Sequence, residues 1–324
     1  MRIALVVPYF GKFNNYFPLV LKSCEANKDL CDWIFFTDDT TPYDYPDNVK
    51  VYYSTFDDIK KKIQSKFDFP IRLDRPYKFC DFKPMYGYVF KEYLDGYDFW
   101  GHCDIDCIFG KFSHFFNEDI LQYDKVMRLG HLTLYRNTEK VNKAFMNTVQ
   151  GVERYKEVLQ TPKSCIFDED NAAGALCICD IWREYGYTEL TMDTIIANTN
   201  YKSNIFWLHY QKEKSKYENE NKRKSIFYWT PDGLFRVFEE NSTMETKEFL
   251  YIHLMRRDMK NRVNNLANIS LFKIIPNSFE NVRAFPQTVE EFHQERWRYF
   301  NLQYFKTRWR NLKTKVKSRL AAKQ

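Results

Sequence analysis

Two aspartates one residue apart, Asp104 and Asp106, lie near the end of an aromatic run, Tyr97–Gly110 (YDFWGHCDIDCIFG). The apolar and aromatic residues before them predict a buried strand. In an extended chain, positions i and i+2 face one side. Both carboxylates are therefore expected together at the strand's C-terminal end, where open α/β sheets bind ligands. Two carboxylates placed together repel each other unless a cation sits between them. Mg2+ or Mn2+ fits such hard oxygen donors, typically shared with substrate phosphates. The bland alternative is a solvated acidic turn.

Two later stretches carry further reactive groups. Phe167-Asp168-Glu169-Asp170-Asn171 sets three acids side by side before a run of small residues. Adjacent carboxylates raise one another's pKa, which suits a general base or an anchor for an acceptor hydroxyl. An acid-rich helix start is the alternative. In Tyr251–Arg257 (YIHLMRR), His253 ends an apolar strand and Arg256 and Arg257 follow. A neutral imidazole can bind Mn2+, and arginine clamps phosphate bidentately. A satisfied core histidine is the alternative here. His102 and His131 are weaker metal candidates. Cys103 and Cys107 beside His102 hint at zinc, but the chain has no CxxC pair, and that spacing argues against it.

The elements that must position these groups read as alternating strands and helices. Ile3–Val7 is a continuous apolar run ending at Pro8, as in a central parallel strand. Tyr16–Asn27 reads as a helix, Trp33–Thr37 as a strand, Val49–Tyr53 as a third strand and Phe56–Phe67 as a helix. A helix over Asp81–Leu94, a strand over Val126–Arg136 and a helix over Val141–Thr148 follow. Residues 211–224 are charged and aperiodic, which predicts an exposed loop, and Phe249–Leu254 reads as a late strand. The succession predicts an α/β fold with a mostly parallel sheet flanked by helices.

Of the 324 residues, 44% are hydrophobic and 28% charged, enough for a packed core and incompatible with global disorder. No apolar stretch approaches the roughly 18 residues of a spanning helix. The apolar run after Met1-Arg2 is too short for a signal-peptide core, so a cytoplasmic setting with eight free thiols is expected.

Four stretches, RIALVVPYFG, WIFFTDD, YKFCDFKP and HCDID, occur in this order over roughly the first 115 residues. In them the chain resembles nucleotide-sugar-dependent glycosyltransferases of the GT-A fold, above all uncharacterised bacterial members encoded with capsule and O-antigen genes. The strand-terminal Asp-x-Asp and the CDFKP stretch are the more specific parts. The resemblance implies a Rossmann-like GT-A domain over 1–290 that uses Mn2+ or Mg2+ and a nucleotide-diphosphate sugar donor. It implies that Pro8, Tyr9 and Phe10 line the nucleotide pocket and that Asp38 or Asp39 meets the base or ribose. Lys78, Asp81 and Lys83 would lie beside the nucleotide or donor sugar. Asp104 would face ribose and metal, and Asp106 would bind the metal directly. Glu169 or Asp170 would be the base, His253 a metal ligand, and Arg256 and Arg257 diphosphate contacts. The rivals are a nucleotidyltransferase of similar architecture and a non-catalytic, membrane-associated glycan-binding protein.

The end of the chain is a separate matter. Residues 295–324 hold ten Lys/Arg against the single acid Glu295, while the rest of the chain is mildly acidic. Trp297, Phe300, Tyr304, Phe305, Trp309, Leu312, Val316 and Leu320 recur in steps of about three and four. A basic amphipathic helix within 291–324 is expected, lying on an anionic membrane surface. With a lipid-linked glycan as acceptor, this places the chain on the inner face of the cell membrane. A helix packed on the body is the alternative, and no recognised nucleic-acid module is present.

Overall fold

The structure is a computed structural model that describes residues 1–170, 174–192, 195–200, 205–210, 216–219, 225–255, 257–295 and 302–321. The chain divides into two compact units, the first built mainly from residues 1–107 and 111–193 and the second mainly from 108–110, 194–210 and 216–324.

The first unit is organised around a seven-stranded sheet. Its opening strands are β1 (Ile3–Tyr9), β2 (Cys31–Thr37) and β3 (Val49–Tyr53), followed by β4 (Phe99–Cys103). Strand β5 (Cys107–Phe109) belongs to another sheet. Strands β6 (Lys125–Leu129), β7 (Leu132–Arg136) and β8 (Glu189–Leu190) complete the first sheet, in the order β3-β2-β1-β4-β7-β6-β8. The pairs β3–β2, β2–β1, β1–β4 and β6–β8 are parallel; β4–β7 and β7–β6 are antiparallel. The sheet is thus mostly parallel, and the continuous apolar character of β1 and β2 follows from burial on both faces.

Helices cover the sheet. Helix α1 (Phe17–Glu25) starts with Pro18 in its first turn, where a missing N–H costs nothing. Helix α2 (Phe56–Gln64) is fixed by a reciprocal capping box between Thr55 and Asp58 and buries Ile59 and Ile63. Short helices α3 (Tyr86–Val89), α4 (Glu139–Asn142), α5 (Arg154–Gln160) and α6 (Ile178–Glu184) follow. Their apolar residues, among them Val89, Val141, Leu159 and Trp182, join Ala4, Val6, Ile34 and Phe36 in one core.

Three expectations for this unit need correction. Val141–Thr148 is not one helix: α4 ends at Asn142 and a 3-10 turn covers Ala144–Met146. The span Asp81–Leu94 is not one α-helix. It is a 3-10 segment from Pro76 to Met85, then α3, then a 3-10 turn at Lys91–Tyr93. Pro84 lies inside the first piece and supplies no N–H for regular α hydrogen bonding. Val126–Arg136 is not one strand but the hairpin β6–β7, turning at Gly130-His131.

The second unit has two sheets. Strands β9 (Ile196–Thr199), β10 (Phe206–Tyr210), β11 (Lys216–Asn219), β12 (Ile226–Thr230), β13 (Gly233–Glu240), β14 (Thr243–Phe249), β15 (Tyr251–His253), β16 (Lys260–Arg262), β17 (Phe272–Ile275) and β18 (Ser278–Asn281) form them with β5. Their orders are β11-β10-β9-β15-β5 and β14-β13-β12-β17-β18-β16. Within 211–224, positions 216–219 pair as β11 with β10 instead of looping out; the rest of that stretch is outside the described residues. Phe249–Leu254 is the end of β14 followed by β15. Helix α7 (Val289–Glu295) sets Phe292 into a small core with Ile226, Tyr228 and Val237, and helix α8 (Leu302–Ala321) ends the described chain. Among the described residues, no helix is long and apolar enough to cross a membrane.

Candidate functional site

The order β3-β2-β1-β4 fixes where a ligand would go. From β1 the chain moves to β2 on one side, while β4 returns on the other. The carboxyl ends of β1 and β4 therefore border a topological switch point, the usual ligand crevice of open α/β sheets. Pro8 and Tyr9 end β1, and Asp104 directly follows β4.

The loop after β1 is tied down from β2. Gly11 adopts φ +101°, a conformation natural to glycine, and its N–H donates to Asp38 at 2.7 Å. Asp39 is buried and accepts from Phe13 N at 2.9 Å, Lys12 Nζ at 2.6 Å and Thr41 Oγ1 at 2.6 Å. Burial opposes its charge, but these donors outweigh it and hold its pKa well below the usual carboxylate range. Asp39 is thus an internal staple, and Asp38 is the exposed member of the pair. Tyr9 stacks on Phe13 at 4.9 Å, and the buried Phe10 stacks on Phe79 at 5.7 Å. Of the three expected pocket residues, Pro8 and Tyr9 are half-buried and Phe10 turns into the core.

Asp104 and Asp106 lie in the tight turn between β4 and β5, so the turn and not strand alternation brings them together. Their carboxylate oxygens approach within 4.8 Å, a separation two ligands of one divalent ion can share at about 2.0–2.6 Å each. Asp104 is half-buried and Asp106 buried. The hairpin turn backs them, with Asp104 N donating to His131 O at 3.1 Å.

Lys83 joins this turn to the acidic stretch. Its Nζ lies 2.7 Å from Asp104 Oδ1, 2.6 Å from Gly130 O and 3.5 Å from Asp168 Oδ2. Burial opposes its charge, but Asp104 and Asp168 outweigh this and raise its pKa. Gly130 is required at this approach: a Cβ there would stand 2.6 Å from Asp168 Oδ2. Its N–H donates to Glu169 Oε2 at 2.8 Å. Asp170 turns elsewhere, pairing with Arg183 at 3.0 Å and Arg128 at 3.3 Å. Glu169 therefore borders the cluster with Asp104, and Asp170 does not.

Sequence reading passed over Asp168. It is buried, and burial first, then Glu169 and Asp104, push its pKa up to about 8 against the opposing pull of Lys83. One lysine serves two acids and lies nearer Asp104; with its pKa at about 8, Asp168 keeps its proton at neutral pH. Between the ordinary carboxylate value of about 4 and the folded value of about 8, the native state holds a proton the unfolded chain has lost. Stability therefore falls as pH rises through that window. Buried His102 acts oppositely below about 6.5, because burial keeps it neutral while the unfolded chain protonates. Asp168→Asn is expected to flatten the decline between about pH 6.5 and 8, where the slope reaches up to about 1.4 kcal/mol per pH unit. Urea unfolding of both proteins across pH checks this; parallel curves would refute it.

Lys78 and Asp81, expected beside the nucleotide or sugar, form a fully buried pair at 2.8 Å. Lys78 Nζ also donates to Val158 O at 2.9 Å and Lys163 O at 2.6 Å. Asp81 accepts from Cys165 N at 2.9 Å and Phe167 N at 3.0 Å. The pair holds down the segment that delivers Asp168 and Glu169.

In the second unit, His253 ends β15, and its Nδ1 meets Asn198 Oδ1 at 2.9 Å. The amide oxygen can only accept, so Nδ1 is the donor in that bond, an arrangement common to metal-binding histidines. Arg257 is buried; its guanidinium donates to Asn277 Oδ1 at 2.8 Å and to Asn200 O, and burial first, then Arg310, lower its pKa to about 10. Arg256 lies outside the described residues.

Residues 5–283 match a family of unknown function, DUF6625, and the chain belongs to that family. No curated protein matches it.

Proposed function

We propose that this chain is a metal-dependent glycosyltransferase of the GT-A type. It moves a sugar from a nucleotide-diphosphate donor to a hydroxyl of a glycan acceptor in bacterial surface polysaccharide synthesis, at the cytoplasmic face of the membrane. The observation that carries this reading is the pair of carboxylates within 4.8 Å at the carboxyl end of β4, beside the switch point of the sheet.

Asp104 and Asp106 would hold Mn2+ or Mg2+; His253 is a further ligand candidate on its sequence position and tautomer alone. When bound, the ion supplies positive charge against the leaving diphosphate. The chain's own residues do the rest. Tyr9 offers a ring at the end of β1 for a nucleobase, and Asp38 offers carboxylate oxygens to ribose hydroxyls. Lys83 holds the Asp104 carboxylate in place through Oδ1. Glu169, half-buried and oriented by Gly130 N, is the better placed of the two expected bases to take the acceptor proton if configuration inverts. Asp168, whose pKa burial pushes up to about 8, is the weaker candidate for the base. The nucleotidyltransferase reading needs a phosphate-cradling loop after β1. There the Lys12 ammonium is taken by Asp39 and Thr41, which weighs against it.

The test is a thermal-shift screen of UDP, GDP and their sugar conjugates with Mn2+ or with EDTA. One nucleotide should stabilise the protein only when Mn2+ is present, by about 2.7 kcal/mol at a hundredfold excess over its Kd. No Mn2+-dependent shift with any nucleotide would overturn the proposal.

A further inference from the structure

Helix α8 is a 20-residue helix with seven Lys/Arg and no acid. Its large apolar side chains Leu302, Phe305, Trp309, Leu312 and Val316 are 48–76% exposed. At about 100° per residue, these five positions fall within an arc of about 80°. Position 304, expected on this face, falls far round the helix from it. The basic positions flank the stripe on both sides: Lys306, Lys313, Lys317 and Arg310 along one edge, Arg308, Arg319 and Lys315 along the other. The remaining arc is mostly small or neutral: Thr307, Asn311, Thr314 and Ser318. Arg310 reaches Asp258 at 2.9 Å, and Lys313 lies over the Trp309 ring at 5.5 Å.

We propose that α8 is a docking surface for an anionic lipid bilayer, lying in the interface with the stripe inserted and the two basic edges against headgroup phosphates. The geometry matches what lysine and arginine need to extend from a buried apolar face to charged headgroups. Charge selects the occupant. A second copy of the helix would set seven positive charges against seven with no acid to pair them, the reverse of a coiled-coil edge. Single-stranded nucleic acid needs a platform of rings, whereas three of the five stripe residues are aliphatic. The inference stands independently of the enzymatic reading, because it uses no residue of that site.

Co-sedimentation of the full chain with phosphatidylcholine vesicles, with and without phosphatidylglycerol, tests it. The protein should pellet with the anionic vesicles only, and salt should release it. The triple variant Lys313→Gln/Lys315→Gln/Lys317→Gln should lower partitioning about fivefold per charge removed. Trp309→Ala/Leu312→Ala should lower it by about tenfold or more at an unchanged thermal transition. Four results would overturn the proposal: equal binding to neutral vesicles, unaltered binding by both variants, a vesicle-free dimer lost in Trp309→Ala/Leu312→Ala, or binding to single-stranded DNA without binding to vesicles. Unchanged Mn2+-dependent nucleotide binding in both variants separates this surface from the proposed active site.

Discussion

Asp106→Asn is expected to lower sugar transfer by about a thousandfold or more and to abolish Mn2+-dependent nucleotide binding. The substitution keeps the shape of the side chain and removes its charge, so a hard divalent cation loses one of two anionic donors. Asp104→Asn should have a comparable kinetic effect with an added cost. Asp104 also neutralises Lys83 at 2.7 Å, and losing that partner leaves a mostly buried ammonium short of a counter-charge. Steady-state kinetics and Mn2+ titration of both variants, each with its urea unfolding curve, separate the two effects. Asp106→Asn should be catalytically dead on a nearly unchanged curve, and Asp104→Asn dead on a shifted one. Transfer by Asp106→Asn at the wild-type rate would remove the basis for a metal site.

Lys78→Met should destabilise the first unit by about 3–5 kcal/mol, because it leaves the Asp81 carboxylate buried and unpaired. The double variant Lys78→Met/Asp81→Leu should not recover the full loss. Asp81 also accepts the N–H groups of Cys165 and Phe167, and each buried donor left without an acceptor costs about 1–3 kcal/mol. Urea midpoints of the wild type and both variants measure this. A single variant within 1 kcal/mol of wild type would show that the pair carries little of the fold, a threshold set by exposed pairs.

The first sheet was largely legible, and the reason is local. Continuous apolar runs at Ile3–Val7 and Trp33–Thr37 admit little but buried strands, and the Thr55–Asp58 box marks the start of α2. Where apolar residues run through a turn, the pattern misleads. Leu129-Gly130-His131-Leu132 looks like strand yet folds back as a hairpin, with a register irregularity between Val126 and Leu129. The candidate site was legible at Asp104 and Asp106, although a turn and not strand alternation gathers them. It was less so among the three consecutive acids. Sequence offers no rule for which of Asp168, Glu169 and Asp170 is buried. The distinction comes from Asp81, more than 80 residues earlier, fastening Cys165 and Phe167 in place. Most strands of the second unit escaped notice because their partners are distant in sequence: β12 pairs with β17, and β9 with β15.

The position of Lys83 has a consequence for how this region behaves before anything binds. Its ammonium already sits between Asp104, Asp168 and the Gly130 carbonyl. The Asp104 carboxylate is thus balanced by a counter-ion encoded in the chain itself. Unlike metal sites whose ligands collapse only around their ion, the cluster of Lys83, Asp104 and Asp168 is shaped when the polypeptide folds. The cation of the proposed site would then bring occupancy without being needed for architecture.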